Sequence, residues 1–309
     1  MNTIIVGQGA MGLLWYHYLN QLHRNQLGAV HHLSLLASKQ PSSSNAHYHF
    51  TDIEGVSTEE SVVFAKVSDI QSADVIILCL KSFQIGSALN EISTNLNTHA
   101  NIILAHNGMG VLDEISPNLI AQHTIFTLLT THGCLRTAPY NITYTGVGVS
   151  DFGLISGEVN SAQQLAIASL LNTALPEVLF NKNIKEKQWL KLAINCVINP
   201  LTALNNIQNG EVNTSRFTEQ IQHILTEVVL VAKAEGITLS FTELMNKVRQ
   251  VALATAKNSS SMRCDIIANK RTEIDYINGY VYRLGLKYNI ATPENTQLWQ
   301  QIKKLSSNL

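Results

Sequence analysis

Three glycines near the start constrain this chain more than any other feature. Gly7-Gln8-Gly9-Ala10-Met11-Gly12 ends a short β-branched run, Ile4 to Gly7, and opens a stretch of helical character, Ala10 to Leu22. Strand, glycine turn and helix at this spacing make the phosphate-binding turn of a βαβ unit. Gly7 would permit the tight turn, Gly9 would let a pyrophosphate approach the backbone, and Gly12 would let helix and strand pack closely. The helix N-terminus adds N–H donors and partial positive charge. Gly7, Gln8, Gly9, Ala10, Met11 and Gly12 are therefore read as cofactor-binding. The alternative is a tight turn with no ligand.

The rest of the first half supports that context. Leu33 to Ala37, Val75 to Leu80, Asn101 to Ala105 and Thr124 to Thr130 are short apolar runs suited to buried strands, and Phe83 to Leu96 suits a helix. Continuous apolar strands separated by helices predict a parallel sheet covered on both faces. Tyr140 to Ile155 is expected to form antiparallel strands at the sheet edge. After about residue 160 the pattern turns helical, over Ala162–Leu175, Ile184–Leu204, Phe217–Glu235, Phe241–Lys257 and Glu273–Tyr288. Capping signals agree: Ser240 with Glu243, Gly236 after a helix, and Thr292-Pro293 before the last one. The expected fold is an α/β Rossmann-type dinucleotide-binding domain over 1–160 followed by an all-α domain over 161–309. Of the 309 residues 45% are hydrophobic, enough for two cores.

Composition excludes several partners. The net charge is -1 with no basic or acidic block, so neither a nucleic-acid footprint nor a charged membrane patch is expected. No signal peptide is expected at the N-terminus. No apolar run reaches the roughly 18–20 residues of a membrane span. Cys79, Cys134, Cys196 and Cys264 form no CxxC pattern and read as small apolar residues in a reduced compartment. No His spacing suggests a metal. The expectation is a cytoplasmic protein.

Loops at the carboxyl ends of strands carry the polar candidates. An NAD site places an acid after the second strand, but that region reads Leu33-Ser-Leu-Leu-Ala-Ser-Lys39. Ser38 and Lys39 would instead meet a 2′-phosphate, which favours NADPH; Lys39 as a plain loop lysine stays open. Lys81 follows the third strand and would meet phosphate or carboxylate charge. Asn107 follows the fourth and can both donate and accept, so it would bridge nicotinamide and substrate. Thr131 to Cys134 follow the next strand, where their backbone would contact the cofactor, Cys134 among them. Ordinary turns with helix caps would explain the same spacing.

Lys191, Asn195 and Asn199 recur at i, i+4 and i+8 within KLAINCVINPLTALNNIQNG. On a helix they share one stripe, and the other faces are apolar. Unpaired buried amides are costly, so the stripe should face partners or a solvent-lined cleft. Pro200 is expected to kink or break the helix just after Asn199. Desolvation would lower the Lys191 pKa and prepare it for proton transfer. A helix–helix interface with a snorkelling lysine is the competing explanation. Further on, Ser259-Ser260-Ser261-Met262 is read as the end of a helix offering hydroxyl and N–H groups. Glu273 is read in the first turn of the next, either as a dipole-stabilising acid or beside the cofactor ribose or Lys191.

Taken in order, GQGAMG, LKSFQ, HNGMG, KLAINCVINPLTALNNIQNGE, SSM, TEIDYINGY and PENT resemble the 2-dehydropantoate 2-reductase (ketopantoate reductase) family along nearly the whole chain. The resemblance implies a Rossmann domain, a helical domain and an active site between them. It implies Lys191 as general acid, Asn107, Asn195, Asn199, Asn209 and Ser261 as substrate contacts, and Lys81, Asn107 and Glu273 on the cofactor side. It implies NADPH-dependent reduction of 2-dehydropantoate to (R)-pantoate on the route to coenzyme A. The expected assembly is a monomer or homodimer. Many members carry an arginine after the second strand for the 2′-phosphate, and this chain has none there. The competing readings are a similar reductase of another small 2-oxo or 3-hydroxy acid, and a non-catalytic NADP(H)-binding sensor.

Overall fold

The computed structural model describes residues 1–25, 30–38 and 46–307. Lys39 and the loop 41–45 lie outside the described residues. The chain divides into two compact units, Met1–His106 with Leu112–Ile184, and Asn107–Val111 with Lys185–Leu309. In chain order the first unit runs β1 (Asn2–Val6), α1 (Ala10–Arg24), β2 (His32–Leu36), β3 (His47–Thr51), β4 (Ser57–Ser61) and α2 (Val67–Ser72). It continues with β5 (Val75–Leu78), α3 (Ser82–Ile92), β6 (Asn101–Leu104), α4 (Pro117–Gln122), β7 (Thr124–Thr130) and β8 (Gly133–Ala138). It closes with β9 (Asn141–Gly146), β10 (Ser150–Ser156), α5 (Ser161–Ala174) and β11 (Val178–Phe180).

Seven strands form the main sheet in the order β11-β10-β7-β6-β5-β1-β2. The run from β7 to β2 is parallel throughout. β5 and β6 are buried at every position, as continuous apolar runs covered on both faces require. β1 sits between β2 and β5, so the chain leaves it first to one side and then to the other. This is a topological switch point, where open α/β sheets bind ligands.

Two features of this unit differ from expectation. β10 runs antiparallel to β7 but is not an edge, because β11 pairs along its other side. β9 leaves the main sheet for a second sheet of order β4-β3-β9-β8. In β3 Tyr48 and Phe50 are buried while His47 and His49 are exposed. The unit keeps α5, whose Ile167, Leu170 and Leu171 join the core shared by α1 and β11. The composition boundary after residue 160 thus lies between β10 and α5, and the division by contacts lies after Ile184.

The second unit is built from α6 (Ile184–Asn205), α7 (Thr218–Ala234), α8 (Phe241–Ala254), α9 (Ser261–Ile267), α10 (Asn278–Tyr288) and α11 (Pro293–Ser307). Trp189, Leu192, Cys196, Val228, Val231, Val248, Val281 and Ile302 lie in its core. Caps follow the sequence signals: Ser240 Oγ accepts from Glu243 N, and Gly236 adopts φ +80° after α7. α6 does not break at Pro200; it continues to Asn205. A proline removes the donor for the carbonyl four residues back, here Cys196. Asn278 Nδ2 donates to that oxygen at 3.0 Å in its place. Ser260 begins α9 rather than ending α8: its Oγ accepts from Arg263 N. Glu273 precedes a 3-10 turn, Ile274–Tyr276, and α10 starts only at Asn278.

His17 of α1 stacks on Phe50 with centroids 3.7 Å apart, and its Nδ1 lies 3.1 Å from Tyr48 Oη. Burial pushes its imidazole down to about 4 from the usual 6.5. Between those values the unfolded chain binds a proton that the folded chain does not. Stability from His17 is therefore complete above pH 6.5 and is lost as pH falls toward 4. His123 and His132 shift the same way, also through burial. Lowering the pH from 7.5 to 5 should cost the wild type on the order of 2 kcal/mol more unfolding free energy than His17→Phe. Urea titrations of the first unit's transition at both pH values measure the difference.

Candidate active site

The glycine turn joins β1 to α1 at the switch point. Gly7 has φ +112°, and a Cβ there would lie 2.6 Å from the Cys79 carbonyl oxygen of the neighbouring β5 segment. A Cβ on Gly12 would lie 1.9 Å from the Gly7 oxygen. Both glycines are obligatory for the turn itself. Gly9 is different, because a Cβ there would meet nothing within 4 Å. No group among the described residues accounts for its missing side chain, whereas a close-lying phosphate would. Gly9 is also the N-cap of α1, a 15-residue helix, and no side chain caps it; the first-turn N–H groups of such an end have no partner within the helix and favour an anion. The turn thus fits a dinucleotide. Ala10 and Met11 open the helix, and Met11 rests partly buried on the core.

Charge reaches this turn from an unexpected strand. Arg136, exposed on β8, donates from Nη1 to the Gln8 carbonyl at 3.5 Å. Ser38 is exposed just past β2. Lys81 follows β5 and N-caps α3, where its backbone N–H meets Gln84 Oε1 at 3.2 Å. Next to it Ser82 Oγ lies 3.4 Å from His106 Nδ1. Cys134 packs partly against the core, and burial pushes its thiol up to about 12, so it stays protonated and unreactive at neutral pH.

The second unit holds another polar set. Residues 107–111 belong to it by contact. Gly108 has φ +81°, with room for no side chain: a Cβ would lie 2.3 Å from the Tyr276 oxygen. Met109 N donates to that same oxygen at 2.8 Å. This seat brings Asn107 Nδ2 to 3.5 Å from Glu273 Oε2, although the two are 166 positions apart. Glu273 is 4% exposed, so its carboxyl belongs to an enclosed polar set and not to a solvated first turn.

On α6, Lys191 and Asn195 are half-buried and Asn199 is buried. Spacing of four keeps them on one stripe, because the helix is continuous across all three. Asn209 begins a 3-10 turn, and its Nδ2 donates to Thr255 Oγ1 at 3.0 Å. Its Oδ1 is buried and meets no partner among the described residues, an acceptor available to a donor from outside them. Ser261 is exposed at the start of α9, while the neighbouring Ser260 Oγ lies 2.7 Å from Thr202 Oγ1 and ties α9 to α6. Among the described residues no cluster of His, Cys, Asp or Glu could hold a metal, and no helix is long and apolar enough to cross a membrane.

Arg136, Asn278, Asn295 and Glu227 carry no spacing signal. Their partners lie in remote segments, and only Pro200, a helix interior short of one donor, hints that one of them is needed.

Comparison with known proteins places these features in one family. The family model described as Ketopantoate reductase PanE/ApbA matches residues 3–157, and Ketopantoate reductase PanE/ApbA C terminal matches residues 183–306. The 2-dehydropantoate 2-reductase of Vibrio cholerae is 36% identical, over 100% of this chain and 99% of its own length. Among solved structures, a D-mandelate dehydrogenase with NADH and anilino(oxo)acetate has a TM-score of 0.86 at 22% identity, covering 99% of each chain. A PanE/ApbA family ketopantoate reductase from Ralstonia eutropha JMP134 has a TM-score of 0.83 at 22% identity, again over 99% of each. With the glycine turn, the α6 stripe and both family segments in order along its length, the chain belongs to the ketopantoate reductase family of oxidoreductases.

Proposed function

We propose that this chain reduces 2-dehydropantoate to (R)-pantoate with NADPH, and that Lys191 is the general acid. The observation that carries the reading is the α6 stripe: one ammonium and two amides on a single line of a helix whose other faces are core. When bound, the dihydronicotinamide supplies the hydride to the ketone carbon. Lys191 Nζ donates a proton to the carbonyl oxygen as negative charge develops there. Asn195 and Asn199 offer N–H donors to carboxylate and hydroxyl without adding charge. Asn209 offers its unpartnered Oδ1 to a substrate hydroxyl, and Ser261 its hydroxyl. Asn107, held beside Glu273, bridges nicotinamide and substrate.

The glycine turn binds the pyrophosphate, with Lys81 as a further cation. Arg136 takes the place of the arginine missing after β2 and meets the 2′-phosphate, so the choice of NADPH comes from β8. Ser38 lies on the same cofactor side. Reduction of another 2-oxo acid is the second reading, favoured by the likeness to a D-mandelate dehydrogenase.

A dihydronicotinamide absorbance assay with ketopantoate and benzoylformate, the oxo acid of mandelate, separates the two. Ketopantoate should give the higher kcat/KM, and the reverse order would replace the proposed substrate. Lys191→Ala should lower kcat by roughly 10²–10⁴-fold; near-normal turnover would remove it from the chemistry. Gly9→Ala should fold with an unchanged Tm yet bind NADPH at least about 10-fold more weakly, since its methyl would occupy only ligand space. Arg136→Ala should weaken NADPH roughly 10-fold while NADH changes by about twofold or less, as loss of one charge-assisted contact predicts. Fluorescence titration with each nucleotide gives both numbers.

A further inference from the structure

Three buried side chains outside the stripe form a one-directional relay that ends on the helix carrying it. Glu227 of α7 is 6% exposed. Its Oε1 accepts from Glu294 N at 2.8 Å and its Oε2 from Asn295 N at 2.9 Å, so it caps the first turn of α11. Asn295 Nδ2 donates to Glu227 Oε2 at 2.7 Å and to the Ile224 carbonyl at 3.2 Å. Both of its amide hydrogens are committed to acceptors, so its Oδ1 must point the other way. There it accepts from Asn278 Nδ2 at 2.9 Å. That bond fixes the orientation of the Asn278 amide, and its second hydrogen goes to the Cys196 carbonyl at 3.0 Å. Asn278 and Asn295 are both fully buried.

The last acceptor is the one that matters. Cys196 O is the carbonyl that Pro200 leaves without an intrahelical donor. It lies in the turn of α6 between Asn195 and Asn199. A helix missing one bond in its interior can bend or rotate there, and a buried carbonyl without a donor would turn toward any partner available. We propose that Asn278 is a positioning residue for the reaction: by donating to the Cys196 carbonyl it replaces the hydrogen bond lost at Pro200 and sets the direction of Asn195, Asn199 and Lys191. Asn295 and Glu227 act through Asn278 by fixing which way its amide faces. The inference rests on the reading of the α6 stripe as catalytic.

The relay predicts that the need for Asn278 exists only because residue 200 is proline. Pro200→Ala returns an N–H to the helix and gives Cys196 O its own donor. Wild type, Pro200→Ala, Asn278→Leu and the double variant are compared for kcat and KM with ketopantoate, NADPH dissociation constant, and hydrogen exchange across residues 190–205. Asn278→Leu should lower kcat about 10-fold, leave NADPH binding within about twofold, and speed exchange in α6. In the Pro200→Ala background the same change should cost about twofold or less, with slow exchange restored. Equal losses in both backgrounds, or no loss in either, would overturn the inference. If Asn278→Leu alone fails to fold, a double variant that folds and turns over supports it, and one that also fails overturns it. Lys191→Ala serves as the control for the catalytic reading: normal turnover there, or no turnover by wild type, refutes that reading, while the exchange data still decide the relay.

Discussion

A carbonyl without a donor organises the helical unit. Pro200 sits inside α6, a 22-residue helix with core on most of its faces, and not in its first turn where a proline costs nothing. Water is excluded from that position, so the Cys196 oxygen needs a donor from another element. Asn278 provides it from the first position of α10, Asn295 holds Asn278 from α11, and Glu227 holds Asn295 from α7. Four helices are thereby registered to one another by direction-specific bonds. Apolar contacts alone tolerate small rotations of one helix on another; a donor–acceptor chain with every hydrogen committed does not.

The first unit is governed by backbone proximity. Gly12 and Gly7 let α1 and the β1 turn approach to a distance that excludes any side chain. That approach puts the N-terminal end of α1, which no side chain caps, at the place where strand order reverses. Gly9 then stands apart from its two neighbours, because the fold tolerates a methyl there and a pyrophosphate would not. One six-residue motif thus contains both a folding requirement and a binding requirement, on different residues.

What could be read from sequence follows from how local each cause is. The glycine turn, the VIIL strand and the Lys191–Asn195–Asn199 stripe depend on neighbours a few residues away, and their patterns survive as spacing. β4, Ser57–Ser61, has no apolar residue and is largely exposed, so it leaves no hydrophobic period. β11 is three residues long. α6 runs through Pro200 without a break, and the residue that supplies the missing donor, Asn278, lies 82 positions away, beyond the reach of any local pattern. Serine suits either side of a helix boundary, so sequence alone does not separate Ser260 as the end of one helix from the start of the next; its bond to Arg263 N makes it the N-cap of α9. Arg136 leaves no local signal for the same reason of distance: its contact with Gln8 spans 128 positions.

The five residues Asn107–Val111 belong by contact to the helical unit, although the chain before and after them belongs to the other. Gly108 and Met109 are seated on Tyr276, and Asn107 reaches Glu273. The two units are therefore not beads joined by one string. A chimera that exchanged everything after residue 184 between two relatives would receive a helical half whose seat for this pentapeptide was shaped by a different parent. Recombination within such a lineage should succeed only where the donor of the pentapeptide and the donor of residues 273–283 are the same, so these distant stretches must be inherited together.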